Sequence, residues 1–283
     1  MTALALTLPF GIAAVLSTAI VLQRRFQSRV SSEVAQVLSQ ETTCVGPDQL
    51  AARRATLPEP VRRYLAFAIS VNAPAIGSAR LKHGGVFRTS PKQPWQKISG
   101  EEYFTIANPG FVWSARIHPA PWISIVARDL LQSGRGNMLV KLNSLITLAD
   151  ASGPEIDQGA TLRWLAEAIW FPYAFVADEM RWDAIDDHSA RATLIQLALS
   201  VSAVFEFDHD GKITGLNANR YRDLGKGQSV LTRWTAEVSD YCEFSGFRVP
   251  TAVDVAWDIE GQRFSYARFA VTTIEYNVNK LFG

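Results

Sequence analysis

The densest group of residues with chemical potential is a ten-residue segment that runs from Arg163 to Pro172. Arg163 and Glu167 are four residues apart, so on a helix they would lie on one side and could form an ion pair. Trp164 and Trp170 add two large rings to the same segment. One interpretation places Glu167 and Trp164 at the mouth of a cavity, where polar groups orient a ligand and rings line its apolar part. The plainer alternative is a helix that plugs the fold, with tryptophans in the core and a structural ion pair.

A second polar group consists of Asp186, Asp187 and His188. A carboxylate and an imidazole with shifted pKa values could act as general acid and base in hydrolysis if they converged on a pocket. Adjacent polar residues before a strand more often form an Asx turn. The segment 208–211 has part of a calcium-loop pattern, but Asn217 occupies the position of the bidentate glutamate. It therefore predicts a hairpin turn.

Established catalytic and metal-binding motifs are missing from the sequence. It contains no nucleophile elbow, no zinc-protease helix motif and no phosphate-binding loop, and the glycines at 225–227 lack the third glycine and the helix of a nucleotide site. The four histidines do not have the paired spacing of metal ligands: His83, His118, His188 and His209. We therefore predict no metal and no cofactor, and the sequence assigns no catalytic residue.

The composition indicates a folded protein with a sizeable core. Of 283 residues, 48% are apolar and 19% are charged. Lys and Arg number 28 against 27 Asp and Glu, a formal net charge of +1, which argues against disorder and against a nucleic-acid binder that relies on many phosphate contacts. The two cysteines, Cys44 and Cys242, are too few for a disulfide scaffold or a cysteine-rich zinc site.

Two sets of short strands surround the Arg163 segment. Alternating apolar residues bounded by turn residues predict strands from about residue 79 to 142 and again from about 190 to 276. Between them, the apolar spacing predicts one helix over 160–171, which Pro172 ends. Ten or eleven strands are too many for a flat open sheet. We therefore expect a mainly β fold with an inserted helix, an antiparallel sheet curled into a half-barrel or barrel.

Aromatic residues are unusually frequent, with 8 Trp, 15 Phe and 7 Tyr. Trp113 and Trp257 are on predicted strands, and Phe111 shares the face of Trp113 because the two are two residues apart. In the plain interpretation these rings fill a core. In the sharper one they line an apolar cavity in a curled sheet, which holds a lipid-like chain beside a membrane.

The first 23 residues contain no charged side chain and are dominated by Ala, Leu, Ile, Val and Phe. At 1.5 Å per residue, an apolar helix of this length spans roughly 30 Å, the thickness of a bilayer core. We therefore predict a transmembrane anchor over residues 1–23, with the lipid bilayer as a partner. A cleaved secretory signal is the alternative, but its positive charges would precede the apolar run. Arg24, Arg25 and Arg29 follow the run, which favours a single-pass protein with its body on the cytoplasmic side.

The remainder divides into a helical stalk and one domain. Residues 24–45 keep apolar residues at three- and four-residue spacing, which predicts the stalk. Nothing between residues 79 and 276 resembles a flexible linker, so we expect residues 46–283 to form a single β-rich domain that contains the helix at 160–171. Nothing in the sequence sets an oligomeric state.

Several segments make the chain resemble a bacterial family known only as a domain of unknown function. They are Leu57 to Leu65, Glu102 to Thr105, Pro109 to Arg116, Leu162 to Pro172, Ser189 to Leu194, Arg220 to Asp223, Arg248 to Thr251 and Trp257. The resemblance covers about residues 57–276, and its motifs are specific in combination. It implies no activity, because such a family has none to transfer. The order of strands and helix is also similar to the half-barrel of bacterial lipoprotein carriers, a likeness of fold that implies no function.

Together these features favour a membrane-anchored module that binds an apolar or amphipathic, lipid-like ligand in a curled-sheet cavity. The predicted ligand-binding residues are Trp113, Arg163, Trp164, Glu167, Trp170 and Trp257. The main alternative is a hydrolase-type enzyme that uses Glu167 or Asp187 as a general acid or base. A third hypothesis is a scaffold for another membrane protein. We expect no nucleic acid as a partner.

Overall fold

Alternating apolar and polar residues form thirteen strands in the computed structural model, which describes residues 4–41, 43–120, 122–225 and 227–283, with side chains from residue 20 onward. The strands are β1 (Ser78–Phe87), β2 (Gln96–Thr105), β3 (Gly110–Ala120), β4 (Ile123–Gln132), β5 (Arg135–Leu142), β6 (Ile146–Ser152), β7 (Met180–Asp186), β8 (Ser189–Gln196), β9 (Leu199–Phe207), β10 (Ile213–Gly225), β11 (Gln228–Phe244), β12 (Phe247–Ile259) and β13 (Gln262–Tyr276). The helices are α1 (Leu4–Ser39), α2 (Pro47–Arg53), α3 (Glu59–Ala68) and α4 (Pro154–Glu167), with short 3₁₀ turns at Arg54–Thr56, Ala168–Trp170 and Pro172–Val176.

All thirteen strands belong to one antiparallel sheet. β1 pairs with both β2 and β13, so the order runs from β6 to β1 and then from β13 down to β7. β6 and β7 form the edges, and over the described residues the sheet does not close into a barrel. α4 contacts β5 in one half of the sheet and β9 and β10 in the other, so the sheet must curl around this helix. This confirms a mainly β fold with a helix on the concave side of an open, curled sheet.

The sequence predicts ten or eleven strands, whereas the structure has thirteen. The strands that the pattern does not reveal are β4, β6 and β7, because their sequences lack a period of two. β4 is buried on both faces: Ala127 faces the concave side, while Val126 packs beneath α1 on the outer side. Its apolar run therefore shows no alternation. β6 and β7 are edge strands with mostly exposed side chains, so they carry no buried face to detect.

The inserted helix begins earlier and ends earlier than the predicted range of 160–171. α4 starts at Pro154, directly after Gly153, whose positive φ of 122° turns the chain into the helix. Proline in the first turn and the acidic Glu155 and Asp157 are typical of a helix start. The α-helix ends at Glu167, and the chain continues as tighter 3₁₀ turns to Val176.

The predicted stalk, residues 24–45, continues α1 as far as Ser39 and packs against the outer face of the sheet. The apolar side of this segment forms a small core with β2, β3, β4 and β5. Its members are Phe26, Val30, Val34, Val37, Leu38, Tyr103, Val112, Val126 and Leu139. An ion pair joins Glu33 to the fully buried Arg128, with an N–O distance of 3.0 Å.

The predicted anchor, residues 1–23, lies mostly outside the residues whose side chains the structure describes. In the described part of the chain, no helix is long and apolar enough to cross a membrane.

Candidate functional site

Two carboxylates and a tryptophan form a row across three neighbouring strands. Glu102 on β2 pairs with Trp113 on β3, and Trp113 pairs with Asp129 on β4. Strand alternation turns all three toward the concave side, where α4 lies. Glu102 is 1% exposed and Asp129 is 2% exposed. Carboxylates at this depth require a charged or hydrogen-bonding partner.

Arg163 on α4 supplies that partner and uses all three guanidinium nitrogens. Its Nη2 donates to Glu102 Oε1 at 2.9 Å, its Nη1 to Asp129 Oδ2 at 3.0 Å and its Nε to Glu167 Oε1 at 2.9 Å. Its guanidinium carbon also lies 4.8 Å from the centroid of the Trp113 ring, a cation–π contact. We call Glu102, Asp129, Arg163 and Glu167 the Arg163 cluster.

The Arg163 cluster contains more carboxylates than cations. Burial raises the pKa of Glu102 well above the usual glutamate range, and burial likewise raises that of Glu167, although Arg163 acts in the opposite direction on both. Burial alone would lower the pKa of Arg163, but the surrounding carboxylates outweigh it and raise that pKa. The negative charge of Glu167 also raises the pKa of Glu102, because the two carboxyl groups lie close together around one cation.

A cavity of about 490 Å³ lies beside the Arg163 cluster, between α4 and the concave face. Its apolar wall includes Phe87, Ile98, Trp113, Ile117, Ile125, Ala127, Met138, Val140, Leu148, Trp234, Val255, Tyr266 and Phe269. Its polar groups are Thr89, Gln93, Gln96, Asp129, Arg163, Glu167 and Arg220. A largely apolar wall with a few polar groups is typical of a small-molecule pocket, and the volume is within the usual range of about 300–1,000 Å³.

Side chains hold the aromatic wall of the cavity in place. Trp113 donates its indole N–H to His83 Nε2 at 2.9 Å, and Trp234 donates its own to the Tyr266 hydroxyl at 3.0 Å. Burial lowers the pKa of His83 to about 4, so this imidazole is neutral at physiological pH and its nitrogen can accept the bond. Arg220 lies over the Trp234 ring, 5.4 Å from its centroid, and adds a cation to the wall.

The predicted ligand-binding residues fall in different places. Trp113, Arg163 and Glu167 line the cavity. Trp164 is fully buried and donates to a backbone carbonyl, and Trp170 does the same in the core beneath α4. These two do not line the cavity. Trp257 is half-buried and stacks on Tyr266, which lines the cavity, but Trp257 itself is not part of the cavity wall.

The acidic turns have structural roles. Asp186 accepts the backbone N–H of His188 at 2.8 Å, which makes an Asx turn, as the plainer interpretation of this segment predicts. Asp187 is exposed between β7 and β8 and does not line the cavity. Asp208 likewise accepts the backbone N–H of Lys212 at 2.8 Å in a hairpin turn.

The sequence reasoning missed Glu102 and Asp129, the two deepest members of the Arg163 cluster. Glu102 shares the inward face of β2 with Ile98 and Phe104. A charged residue on an otherwise apolar strand face could have identified it as a candidate site residue. Over the described residues, no group of three or more His, Cys, Asp or Glu side chains is placed to hold a metal ion. Here Arg163 itself occupies the space among the three carboxylates.

Comparisons with known proteins give one family and several distant folds. No curated protein matches the sequence. Among solved structures, a LolA superfamily protein from Nitrosomonas europaea matches 77% of this chain and 92% of its own, with 9% identity and a TM-score of 0.37. A DUF1329 family protein from Desulfovibrio piger matches 72% of this chain and 87% of its own, with 14% identity and a TM-score of 0.42. These likenesses concern the fold alone.

The family match covers most of the domain and confirms the resemblance read from the sequence motifs over about residues 57–276. The model of a family of unknown function, DUF6544, matches residues 49–269, which include every member of the Arg163 cluster and every residue that lines the cavity. The chain belongs to this family of unknown function.

Proposed function

We propose that the protein binds one amphipathic, lipid-like molecule in the cavity between α4 and the concave face. The apolar wall would hold the chain of the ligand, and the Arg163 cluster would contact its polar group. The observation that carries this proposal is the cavity itself, which is mostly apolar and ends at a buried, incompletely bonded carboxyl group.

Glu167 is the group that would meet the polar part of the ligand. Its Oε1 accepts from Arg163, whereas its Oε2 is buried with no hydrogen-bond donor among the described residues. An unpaired buried oxygen of this kind is costly. A proton shared with Glu102, or a hydroxyl or amide donor on a ligand, would satisfy it. The ligand is therefore expected to carry a hydrogen-bond donor close to its apolar chain.

The proposal includes attachment to a membrane through residues 1–23. The support is the sequence, an uncharged apolar stretch long enough for a bilayer core and followed by three arginines. An attached protein would meet lipid-like molecules at high local concentration. The exposed Cys242 tests the orientation, because in a Cys44→Ser variant an impermeant maleimide should leave it unlabelled in intact cells. Labelling would contradict a body on the cytoplasmic side.

Filling the cavity tests the binding function. Ala127 lines the cavity on β4, so Ala127→Phe should displace the ligand from full-length protein purified from native membranes. The matched control is Ala184→Phe, at an exposed position on the edge strand β7. Mass spectrometry of co-purifying small molecules should find an amphipathic molecule with the wild type and the control, and less with Ala127→Phe. Equal amounts in both variants, or none with the wild type, would contradict the proposal.

A second candidate function rests on the raised pKa of Glu167. Burial raises the pKa of this carboxyl group, which lines the cavity, and a raised pKa favours the protonated form that can act as a general acid toward a bound substrate. Glu167→Gln separates the two functions, since it removes the acid but preserves a hydrogen-bonding side chain. A hydrolytic activity abolished in this variant at unchanged ligand content would favour the enzyme. Weaker ligand retention alone would favour the binding module.

A further inference from the structure

Large apolar side chains are exposed on two neighbouring hairpins at one end of the sheet. Trp122 is 88% exposed and Ile123 41% exposed in the hairpin between β3 and β4. Leu145 is 43% exposed and Ile146 59% exposed in the hairpin between β5 and β6. An exposed apolar group of this size in one place points to an interaction surface.

Asn143 fixes the two hairpins to each other. Its backbone N–H donates to the carbonyl of Ser124 at 2.6 Å, and its side-chain oxygen accepts the N–H of Ser124 at 2.7 Å. The exposed apolar residues therefore belong to one continuous surface rather than to two independent loops.

The apolar N-terminal segment ends beside the same hairpins. Gln23 on α1 lines a shallow surface pocket together with Ser124 and Leu145. Just before it on the helix, Ile20 and Val21 are 52% and 48% exposed. We call Ile20, Val21, Trp122, Ile123, Leu145 and Ile146 the hairpin face.

The charges around the hairpin face are positive. No Asp or Glu occurs in residues 1–32, 116–128 or 141–149, which include the end of the N-terminal segment and both hairpins. Arg24 and Arg25 are exposed on α1 just after Gln23. Apolar and tryptophan side chains next to arginines, without acids, are the composition that binds the interface of an anionic bilayer.

We propose that the hairpin face enters the interfacial layer of the lipid bilayer and holds the domain against the membrane. This inference rests on the proposed attachment through residues 1–23 and extends it, because it orients the domain. A helical anchor alone would leave the domain free to tilt. Two hairpins in the interface fix which end of the sheet faces the lipid.

This orientation places the cavity next to its source of ligand. Leu148 lines the cavity and is 53% exposed, and it lies two residues after Ile146 on β6, at a shift in the register between β5 and β6. A row of apolar side chains thus leads from the hairpin face to the cavity wall. An acyl-like chain could move along it from the bilayer with little exposure to water.

Site-directed spin labelling of the full chain in vesicles tests the proposal. In a Cys44→Ser, Cys242→Ser background, Trp122→Cys and Ile146→Cys place labels on the hairpin face. The control is Val71→Cys, at a 99% exposed residue that neighbours Ser70, whose N–H donates to Gly246 in the turn before β12, at the other end of the sheet. The vesicles are mixed phosphatidylcholine and phosphatidylglycerol.

In protein that floats with the vesicles, we expect the labels at 122 and 146 to be several-fold less accessible to an aqueous nickel chelate than the label at 71. Equal accessibility at all three positions in floated protein would overturn the orientation and leave the attachment through residues 1–23 intact. Protein that does not float would overturn both. Protection in native membranes together with full accessibility in the vesicles would identify a protein partner and overturn the bilayer as the occupant.

Discussion

Two aromatic regions lie on the concave side of the sheet, and they hold their tryptophans in different ways. In the closed core, Trp164 donates its indole N–H to the carbonyl of Thr105 at 2.9 Å, and Trp170 donates to the carbonyl of Pro250 at 3.0 Å. These bonds join side chains to the backbone of β2 and β12. They depend on the fold and on no other side chain.

Around the cavity the acceptors are side chains instead. Trp113 donates to His83, and Trp234 donates to Tyr266. A single substitution can therefore change how a cavity ring is held without disturbing the backbone. The difference indicates that the core residues specify the fold, while the cavity residues can be altered to change what the cavity accepts.

The largest expected loss of stability comes from replacing a tryptophan of the closed core. Trp164 is fully buried and packs against the ring of Phe171, so Trp164→Ala should lower the free energy of unfolding by about 3–5 kcal/mol. Trp234→Ala should cost distinctly less, because the removed ring already borders an open cavity. Denaturant unfolding of both variants checks this. Equal losses would show that the cavity wall is as tightly packed as the core.

Removing the cation of the Arg163 cluster should cost a similar amount. Arg163→Met would leave three carboxylates together without a cation, and breaking a buried pair in this way costs about 3–5 kcal/mol. The loss should become smaller at low pH, where the carboxyl groups take up protons. Arg135→Met is the control, because Arg135 is mostly exposed and its ion pair with Asp157 should contribute under about 1 kcal/mol. A loss that does not change with pH would contradict the role of the carboxylates.

The Arg163–Glu167 pair could be predicted from the sequence, but the rest of the cluster could not. The pair follows from helical spacing within one segment. Glu102 and Asp129 join it only through the register of β2, β3 and β4, which depends on contacts across the sheet. Since β4 lacks alternation, Asp129 could not be assigned to a face.

The two misplaced tryptophans have a geometric explanation. Successive residues on a helix point about 100° apart, so Trp164 is rotated by that angle from Arg163, and its indole donates to the carbonyl of Thr105 in the core instead of lining the cavity. Trp170 belongs to the 3₁₀ turn after Glu167, where the helical spacing assumed over 160–171 no longer applies. The single helix and the strand sets were predictable because both patterns are local.

A smaller loss of stability is expected at low pH, where His83, the acceptor of the Trp113 indole N–H, takes up a proton. A histidine in the unfolded chain has a pKa of about 6.5, and burial lowers that of His83 in the folded protein to about 4. As the pH falls, the unfolded state therefore binds the proton before the folded state does. The free energy of unfolding is highest above pH 6.5 and decreases by on the order of 3 kcal/mol as the pH falls to about 4.

His83→Gln keeps an acceptor for the indole but cannot be protonated. Its free energy of unfolding should therefore fall less than that of the wild type between those two pH values. His209→Gln, at an exposed hairpin position, should retain the acid dependence of the wild type. Unfolding curves at several pH values measure both. If His83→Gln follows the wild type, the buried imidazole is not the source of the acid sensitivity.

The smallest effect in stability should be the most informative for function. Tyr266→Phe removes the hydroxyl that accepts from Trp234 and frees this indole beside the cavity, where a ligand or water can replace the lost partner. We expect a stability loss of about 1 kcal/mol and a clear change in the amount of ligand that co-purifies. Tyr276→Phe removes a core hydroxyl that donates to the carbonyl of Trp170 at 2.7 Å. That variant should lose more stability, since no water can reach the carbonyl, and retain its ligand. The reverse pattern would place the ligand in the core instead of the cavity.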